Sequence, residues 1–406
     1  MHQSMKKRKL TIHIGTEKTG TTSIQSFLEI NQIDLKKQGI NCPKSLGYSD
    51  SFNHRLAAVI SYNDNRNDDN TKFLFKSLDD RKRQIENIKN ALKFEISNNP
   101  CRNWIISSEH LQSRLRTKEE IFRLKKIFSK LFDEIKILIY IREPIETAAS
   151  WWSTTIKGKG LINKLPDPNN PYIKHLCNHE NTIKLWSSAF RRENIILGLY
   201  ENELKSEQYL LNDFCRKLNI DSNNLLFPKK YENKKLSFLG MKYKRFVNEY
   251  LKLNIKENNE YFELLKDKVF KKTTKDPIYF FTEDQIKAYD NEFSASNNWV
   301  QQEFFKERKY LWSKRISTKK NLQKELTLSP SEKKLFDIIF ELVNELINLS
   351  DLDYSKKLMN YEIKYKNFSN KITIYNFKSF LKFRFNKLII KTLIILNKYF
   401  EKLLLT

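Results

Sequence analysis

Leu10 to Phe27 reads LTIHIGTEKTGTTSIQSF, and its hydrophobic periodicity changes partway along. From Leu10 to Ile14 apolar and polar side chains alternate, which is typical of a half-buried strand. A short segment bracketed by Gly15 and Gly20 follows, where the backbone can turn sharply and approach a ligand closely. Beyond it the apolar spacing becomes that of one helix face. This stretch therefore predicts a strand, a tight loop and the N-terminus of a helix.

The predicted loop has the properties of an anion-binding site. A helix N-terminus presents unpaired backbone N–H groups and the positive end of the helix dipole. Lys18 adds a full positive charge, and Thr19, Thr21 and Thr22 flank Gly20 with hydroxyl donors. We therefore predict that this loop binds a phosphate group.

The loop is close to a nucleoside-triphosphate P-loop but departs from it at one position. Gly15 and Gly20 have the P-loop spacing, after which a lysine should follow. Here that position is Thr21, and the lysine of the loop is Lys18. A kinase or hydrolase would thus lack the group that reaches the β- and γ-phosphates. That class stays open as an alternative, together with a non-catalytic basic binding protein.

Composition and charge limit the class of protein. Of the 406 residues, 40% are hydrophobic and 13% aromatic, which excludes an intrinsically disordered chain. The 74 Lys and Arg residues against 48 Asp and Glu give a formal net charge of +26, which favours anionic partners. Lys, Asn and Ile are abundant along the whole chain, so the charge reflects a general bias and we expect no nucleic acid as partner.

The cysteines and the N-terminus bear on the compartment. Cys42, Cys101, Cys177 and Cys215 show neither paired nor zinc-site spacing, so we expect a reducing compartment and no metal. The start MHQSMKKRKL lacks the apolar core of a signal peptide. No uncharged apolar run approaches the roughly 20 residues that span a membrane. We therefore predict a cytoplasmic protein.

Strand and helix patterns alternate over the first 220 residues, which predicts an α/β fold with a P-loop-like parallel sheet flanked by helices. The predicted strands lie at 10–14, 104–107, 135–141 and 195–200, and the predicted helices at 21–37, 85–96, 180–191, 210–218, 236–253 and 283–308. Further helices begin with a capping box at Thr117 and Glu120 and with Pro144. A long loop at 157–171 is a candidate lid.

A second anion signal stands at the end of the strand at 135–141. Arg142 follows that strand directly, and Ser150 comes eight positions later in the next helix. With the run KTGTT at 18–22, this pair resembles the sulfotransferases that use 3′-phosphoadenosine 5′-phosphosulfate (PAPS), in particular their bacterial, carbohydrate-directed branch. The run that begins at Tyr200 is similar to another motif of that family, which lies near the nucleotide. Glu17 departs from the family, where many members have proline.

The resemblance implies roles for these residues. Lys18 would stabilise the charge on the leaving phosphate oxygen and is the first catalytic candidate, while Thr19, Gly20, Thr21 and Thr22 would hold the 5′-phosphate. Arg142 and Ser150 would bind the 3′-phosphate, with Tyr200 near the nucleotide. An acceptor hydroxyl needs a general base, and His54, Glu109 and His110 are the candidates, among which the sequence does not choose.

The acceptor and the C-terminal part of the chain form the last expectations. The resemblance to carbohydrate enzymes and the basic surface point to a glycan acceptor. We expect a catalytic domain at 1–325 and a basic, mostly helical extension at 326–406. Residues 371–406 interleave basic with aromatic and aliphatic side chains, a pattern that fits either packing on the protein or peripheral contact with an anionic membrane.

Overall fold

A five-stranded parallel β-sheet organises the protein. The computed structural model describes residues 7–47, 52–62, 74–201, 207–228, 238–253 and 281–313 and the single positions 72, 326 and 330. Helices alternate with the strands along the chain and cover the sheet. The predicted α/β class and the parallel sheet are therefore confirmed.

The four predicted strands are present with small shifts at their ends, and the structure adds a short strand at Ile40–Asn41 and short helices at His110–Arg114 and Pro171–Cys177, which the periodicity did not predict. In chain order the elements are β1 (Lys9–His13), α1 (Thr21–Ile30), α2 (Gln32–Lys37), β2 (Ile40–Asn41), α3 (Leu56–Val59), α4 (Leu78–Ser97), β3 (Asn103–Ser107), α5 (His110–Arg114), α6 (Lys118–Phe128), β4 (Glu134–Ile141), α7 (Pro144–Lys157), α8 (Pro171–Cys177), α9 (His179–Phe190), β5 (Ile195–Leu199), α10 (Glu207–Leu218), α11 (Phe238–Leu253) and α12 (Glu283–Phe304). Two 3₁₀ turns lie at Lys44–Leu46 and Arg192–Asn194.

The strand order places a crevice between β1 and β4. The strands lie side by side in the order β2-β3-β1-β4-β5. The chain leaves β1 towards β2 on one side of the sheet and leaves β4 towards β5 on the other. In open parallel sheets, ligands bind outside the carboxyl ends of two neighbouring strands whose connections run to opposite sides. Gly15–Thr22 and Arg142 stand at that point.

Both faces of the sheet are buried, as parallel sheets require. Leu10, Ile12 and Ile14 point to one face, where side chains of α4, α6, α9 and α12 pack against them. Leu138 and Tyr140 point to the other face, which α1, α2 and α10 cover. This alternation follows from the two-residue period of a strand, and it holds β1 and β4 rigidly in the middle of the protein.

The single helix predicted up to Lys37 is two helices, because Asn31 interrupts it. The buried Asn31 amide donates to Phe27 O over 2.9 Å and to Leu226 O over 2.8 Å. Its Oδ1 accepts from Leu226 N over 2.7 Å. The partner lies far away in sequence, so the hydrophobic spacing gave no sign of the break.

The capping box predicted at the start of α6 is only half formed. Thr117 Oγ1 accepts from Glu120 N over 3.3 Å, as expected. Glu120 Oε2 instead accepts from Arg116 N, the residue before the N-cap, over 3.0 Å. A complete box opens α12, where Thr282 and Gln285 cap each other's backbone.

The chain divides into two units. The first contains residues 1–154, 165–233 and 280–322 and holds the whole sheet. In the second, Asn248 of α11 donates to Ile156 O over 2.8 Å and to Gly160 O over 2.9 Å. The bond to Gly160 fixes part of the loop that is predicted to be a lid. That loop begins after α7 ends at Lys157.

The predicted C-terminal extension lies outside the described residues, apart from positions 326 and 330. Its helical character, the boundary after residue 325 and the membrane contact of residues 371–406 stay predictions. None of the helices that the structure describes is both long and apolar enough to cross a membrane.

Replacing Asn31 with alanine should lower the free energy of unfolding by about 2–3 kcal/mol, because the buried Asn31 side chain then no longer bonds the backbone N–H and C=O of Leu226. Asn98→Ala is a matched control, since Asn98 also ends a helix and donates to the carbonyl four residues earlier, but it is exposed. Urea unfolding of both variants measures the difference. Equal losses would show that the long-range bonds of Asn31 contribute nothing.

Candidate functional site

The loop after β1 begins as an extension of the sheet. Ile14 N donates to Leu138 O over 3.0 Å, and Thr16 N donates to Tyr140 O over 2.7 Å. Tyr140 N in turn donates to Gly15 O over 2.7 Å. Thr19 Oγ1 then donates back to Thr16 O over 2.6 Å and closes the turn. The loop is therefore fixed to β4 before it reaches the helix.

The middle of the loop has the backbone form of an anion-binding nest. Lys18 and Gly20 both adopt left-handed conformations, with φ of 67° and 80°. No described residue accepts a hydrogen bond from the amides of residues 18–22. Gly20 is the N-cap of α1 and has no side chain that could cap the helix. Successive N–H groups of this kind converge on an anion.

Gly20 is also required by its neighbours. A Cβ at this position would lie 2.4 Å from Leu210 Cδ2 and 3.3 Å from Tyr200 Cε2. The loop thus packs directly on α10 and on the residue that follows β5. Of the hydroxyls predicted to help bind phosphate, Thr19 and Thr21 are buried and Thr22 is exposed.

Lys18 reaches from the loop to α7. Its Nζ donates to Thr154 Oγ1 over 2.7 Å, and that hydroxyl donates to Ser150 O over 2.9 Å. Burial lowers the pKa of Lys18, Arg142 lowers it further, and the carboxylates of Glu17 and Glu109 act in the opposite direction. The ammonium therefore lies among two acids and a second cation, within electrostatic reach of each.

Arg142 approaches the same loop from the end of β4. Its Nη1 donates to Lys18 O over 3.2 Å, and its Nη2 pairs with Glu146 Oε2 over 2.5 Å. The guanidinium carbon lies 5.6 Å from the ring centre of Tyr200. Arg142 is only 5% exposed, and its Nε is buried with no acceptor among the described residues.

Ser150 lies on the α7 face that meets both cations. Glu146, Ser150 and Thr154 are spaced four residues apart, so they follow one another along one side of the helix. Glu146 binds Arg142 at one end of this row, and Thr154 binds Lys18 at the other. The row therefore places Ser150 between the residues that hold the two positive groups.

Glu109 is held beside the loop by two side-chain amides. Its Oε2 accepts from Gln25 over 2.9 Å, and its Oε1 accepts from Asn53 over 3.1 Å. Its Cα lies 3.2 Å from the place that a Cβ on Gly15 would take. Asn53 is itself fixed, because its Oδ1 accepts from Ser108 Oγ over 2.7 Å. This carboxylate is therefore oriented and adjacent to the anion nest.

His54 lies in a different environment, although it also belongs to the segment next to Glu109. It is 1% exposed, its backbone N donates to Ser107 O, and its Nδ1 accepts from Ser107 N over 3.0 Å. Burial lowers its pKa to about 4. Its Nδ1 also lies 3.3 Å from Ser107 O, so the Ser107 backbone engages this nitrogen in either tautomer of the ring. This geometry favours a structural role for His54.

His110 and His13 complete the histidines near the loop. His110 is half-buried at the start of α5; burial lowers its pKa, and the neighbouring Glu109 acts against that shift. His13 is fully buried, and its Nδ1 lies 2.9 Å from Ser107 Oγ. Its buried position in β1 favours a structural role for His13.

Several residues of the site carry no motif signal. Gln25, Glu146 and Thr154 each bind one of the predicted residues. Asn53 also binds Glu109, and it belongs to an Asn-His pair that resembles one in the sulfotransferase family. His179 is buried, and its Nε2 lies 2.8 Å from Arg142 O, so it fixes the backbone of that arginine. The four-residue spacing in α7 was readable from the sequence, but contacts such as that of His179 depend on the tertiary fold.

The role of His54 predicts a pH dependence. The unfolded residue titrates near 6.5 and the folded one near 4, so the stability that His54 contributes is full above pH 6.5 and is lost as the pH falls towards 4. In His54→Asn the unfolding free energy should depend less steeply on pH in this window, by up to about 1.4 kcal/mol per pH unit. Urea titrations at several pH values measure the slope. An unchanged slope would mean that the folded residue is accessible to protons, which would restore it as a base.

Comparison with known proteins gives little information about the chemistry of this site. No family model matches the chain, and no curated protein matches its sequence. A crystal structure of a sulfotransferase from Alicyclobacillus acidocaldarius aligns with 59% of this chain and 90% of its own, at 14% identity and a TM-score of 0.35. The sulfotransferase domain from the curacin biosynthetic pathway aligns with 53% of this chain and 75% of its own, at 14% identity and a TM-score of 0.29. At these values the similarity carries no argument about chemistry, which has to come from the residues themselves.

Proposed function

We propose that this protein is a sulfotransferase that moves a sulfuryl group from PAPS to a hydroxyl group of a carbohydrate. The observation that carries this proposal is the pairing of the amide nest at 18–22 with two cations, Lys18 and Arg142, and with Ser150 on the facing row of α7. Such a donor set suits a ligand with two separate anionic groups. The position of the P-loop lysine is occupied by Thr21, which disfavours a nucleoside-triphosphate hydrolase or kinase.

The residues present fit a nucleotide that carries phosphate at both ends of its ribose. The amides and hydroxyls of residues 19–22 would hold the 5′ group, and Arg142 with Ser150 would hold the 3′-phosphate. The buried Arg142 Nε has no acceptor among the described residues, so an anion there would satisfy it. Tyr200 already lies against that guanidinium and the loop. When bound, PAPS supplies the sulfuryl group and the phosphate that leaves.

Lys18 and Glu109 are the two side chains that would act on the reacting groups. Lys18 would stabilise negative charge that develops on the leaving oxygen, since it stands in the nest and is largely desolvated. Glu109 would accept the proton of the acceptor hydroxyl, with Gln25 and Asn53 holding the carboxylate in place. We favour Glu109 over His54 because His54 is buried and its Nδ1 is engaged by the Ser107 backbone. His110 stays the second choice.

Thermal-shift measurements test the nucleotide part of the proposal. The melting temperature of the wild type should rise with 3′-phosphoadenosine 5′-phosphate, since a ligand that binds only the folded state stabilises it. It should rise less with adenosine 5′-phosphate, ATP or GTP, with or without Mg²⁺. A larger shift with a nucleoside triphosphate and Mg²⁺ would favour the kinase or hydrolase instead.

The same assay separates the two phosphate sites. Arg142→Ala should weaken binding of 3′-phosphoadenosine 5′-phosphate about tenfold or more and leave adenosine 5′-phosphate little changed, with Ser150→Ala showing a smaller effect in the same direction. The controls are Arg83→Ala and Ser188→Ala on exposed faces of α4 and α9. Equal losses for both nucleotides would remove the 3′-phosphate role.

Lys18→Ala should abolish sulfuryl transfer while the unfolding midpoint stays close to that of the wild type, because the side chain belongs to the loop and not to the core. Thr154→Val should lower turnover less, since it removes one hydrogen bond of Lys18 but not its charge. Lys136→Ala, an exposed lysine on β4, is the control. Measured turnover near the wild-type value in Lys18→Ala would refute this mechanism and favour a non-catalytic binding protein.

A further inference from the structure

Basic and aromatic side chains lie on or just after α5, which follows Glu109, on α7 beside Ser150, and on α8. We call Arg114, Arg116, Trp151 and Tyr172 the arginine–aromatic patch. The rings of Trp151 and Tyr172 are 5.4 Å apart, and the Arg116 guanidinium lies 5.6 Å from the Tyr172 ring centre. None of these four residues is used by the chemistry proposed above.

The patch is tied to the anion-binding loop. Tyr172 Oη donates to Glu17 Oε1 over 2.8 Å, and Glu17 directly precedes Lys18. The helices beneath the patch are also joined, since Gln112 Nε2 donates to His175 O over 3.2 Å while His175 Nε2 lies 2.9 Å from Gln112 O. The patch therefore has a fixed position relative to the reacting end of the site.

Arg114 is the member of the patch that indicates the charge of its ligand. It lies one turn after His110 on the same face of α5, whose N-cap is Glu109. Its charge is near enough to both His110 and Tyr172 to lower the pKa of the first and to oppose the rise in the pKa of the second. Its Nε is buried without an acceptor, and its guanidinium makes no ion pair or hydrogen bond within the described part of the chain. A half-buried cation with no counter-ion is costly unless a ligand supplies one.

We propose that the acceptor is an acidic sugar, with a carboxylate on the same ring as the reacting hydroxyl or on the next one. Arg114 and Arg116 would bind the carboxylate, and Tyr172 with Trp151 would contact the face of the ring. This inference rests on the proposed function and names its acceptor class. An uncharged or purely apolar acceptor would leave Arg114 buried without a counter-ion.

The carboxylate takes no part in the bond changes. The hydroxyl oxygen gains a bond to sulfur while the bond between sulfur and the phosphate oxygen breaks. The hydroxyl proton passes to Glu109, and the negative charge goes to the leaving phosphate beside Lys18. The arginines fix which hydroxyl lies next to Glu109, because a guanidinium fork binds a carboxylate in a defined orientation.

Calorimetry with the full chain and bound 3′-phosphoadenosine 5′-phosphate tests this proposal. The probes are trigalacturonate and its methyl ester, which have the same rings with and without negative charge. We expect the wild type to bind the acid at least tenfold more tightly than the ester. Arg114→Gln should lose most of that preference, and Arg114→Lys should keep part of it.

The control separates the patch from the general positive charge of the protein. Arg102→Gln removes the same charge from an exposed residue just before β3, at the amino ends of the strands, and should keep the full preference. The proposal is refuted if the wild type binds acid and ester equally or binds neither. It is also refuted if Arg114→Gln and Arg102→Gln behave alike. Failure of the nucleotide to bind the wild type would instead refute the proposed function.

Discussion

The pairing of β1 with β4 is the constraint on which the rest of the site depends. The ladder does not stop where β1 ends, because Tyr140 exchanges hydrogen bonds with Gly15 and Thr16 inside the loop. The loop therefore leaves the sheet at a defined point, which fixes the position of the amide nest at 18–22 relative to β4. Arg142 follows the same strand β4, so both cations are positioned by one pair of strands.

The buried Arg142 and the half-buried Lys18 repel each other at one loop, and the structure compensates for this with specific partners. Arg142 is neutralised by Glu146 and lies against Tyr200, while Lys18 is near Glu17 and Glu109. Burial still lowers the pKa of Lys18, so its charged form is disfavoured before a ligand binds. An anion in the nest reverses that effect, because opposite charge stabilises the protonated amine. An anion is therefore the ligand that the charges of this site favour.

The sequence predicts the sheet, the order of the strands along the chain and the glycine loop, because these depend on local periodicity. It also brings Lys18 and Arg142 to one edge, since carboxyl ends of parallel strands meet there. It does not show Asn31 breaking a helix or His179 fixing the backbone of Arg142, because both depend on contacts between residues that are far apart in the sequence. The three candidate bases differ in their burial and in their hydrogen bonds. Neither property can be read from the spacing of residues in the sequence.

Glu17 shows how one residue can join the two halves of the site. Relatives by motif often have proline at this position, which would fix the loop backbone but offer no side-chain contact. Here the carboxylate accepts from Tyr172 and lies near Lys18, so the loop after β1 also supports the arginine–aromatic patch. In the function proposed above, this one hydrogen bond would join the part of the site that holds the nucleotide to the part that holds the acceptor.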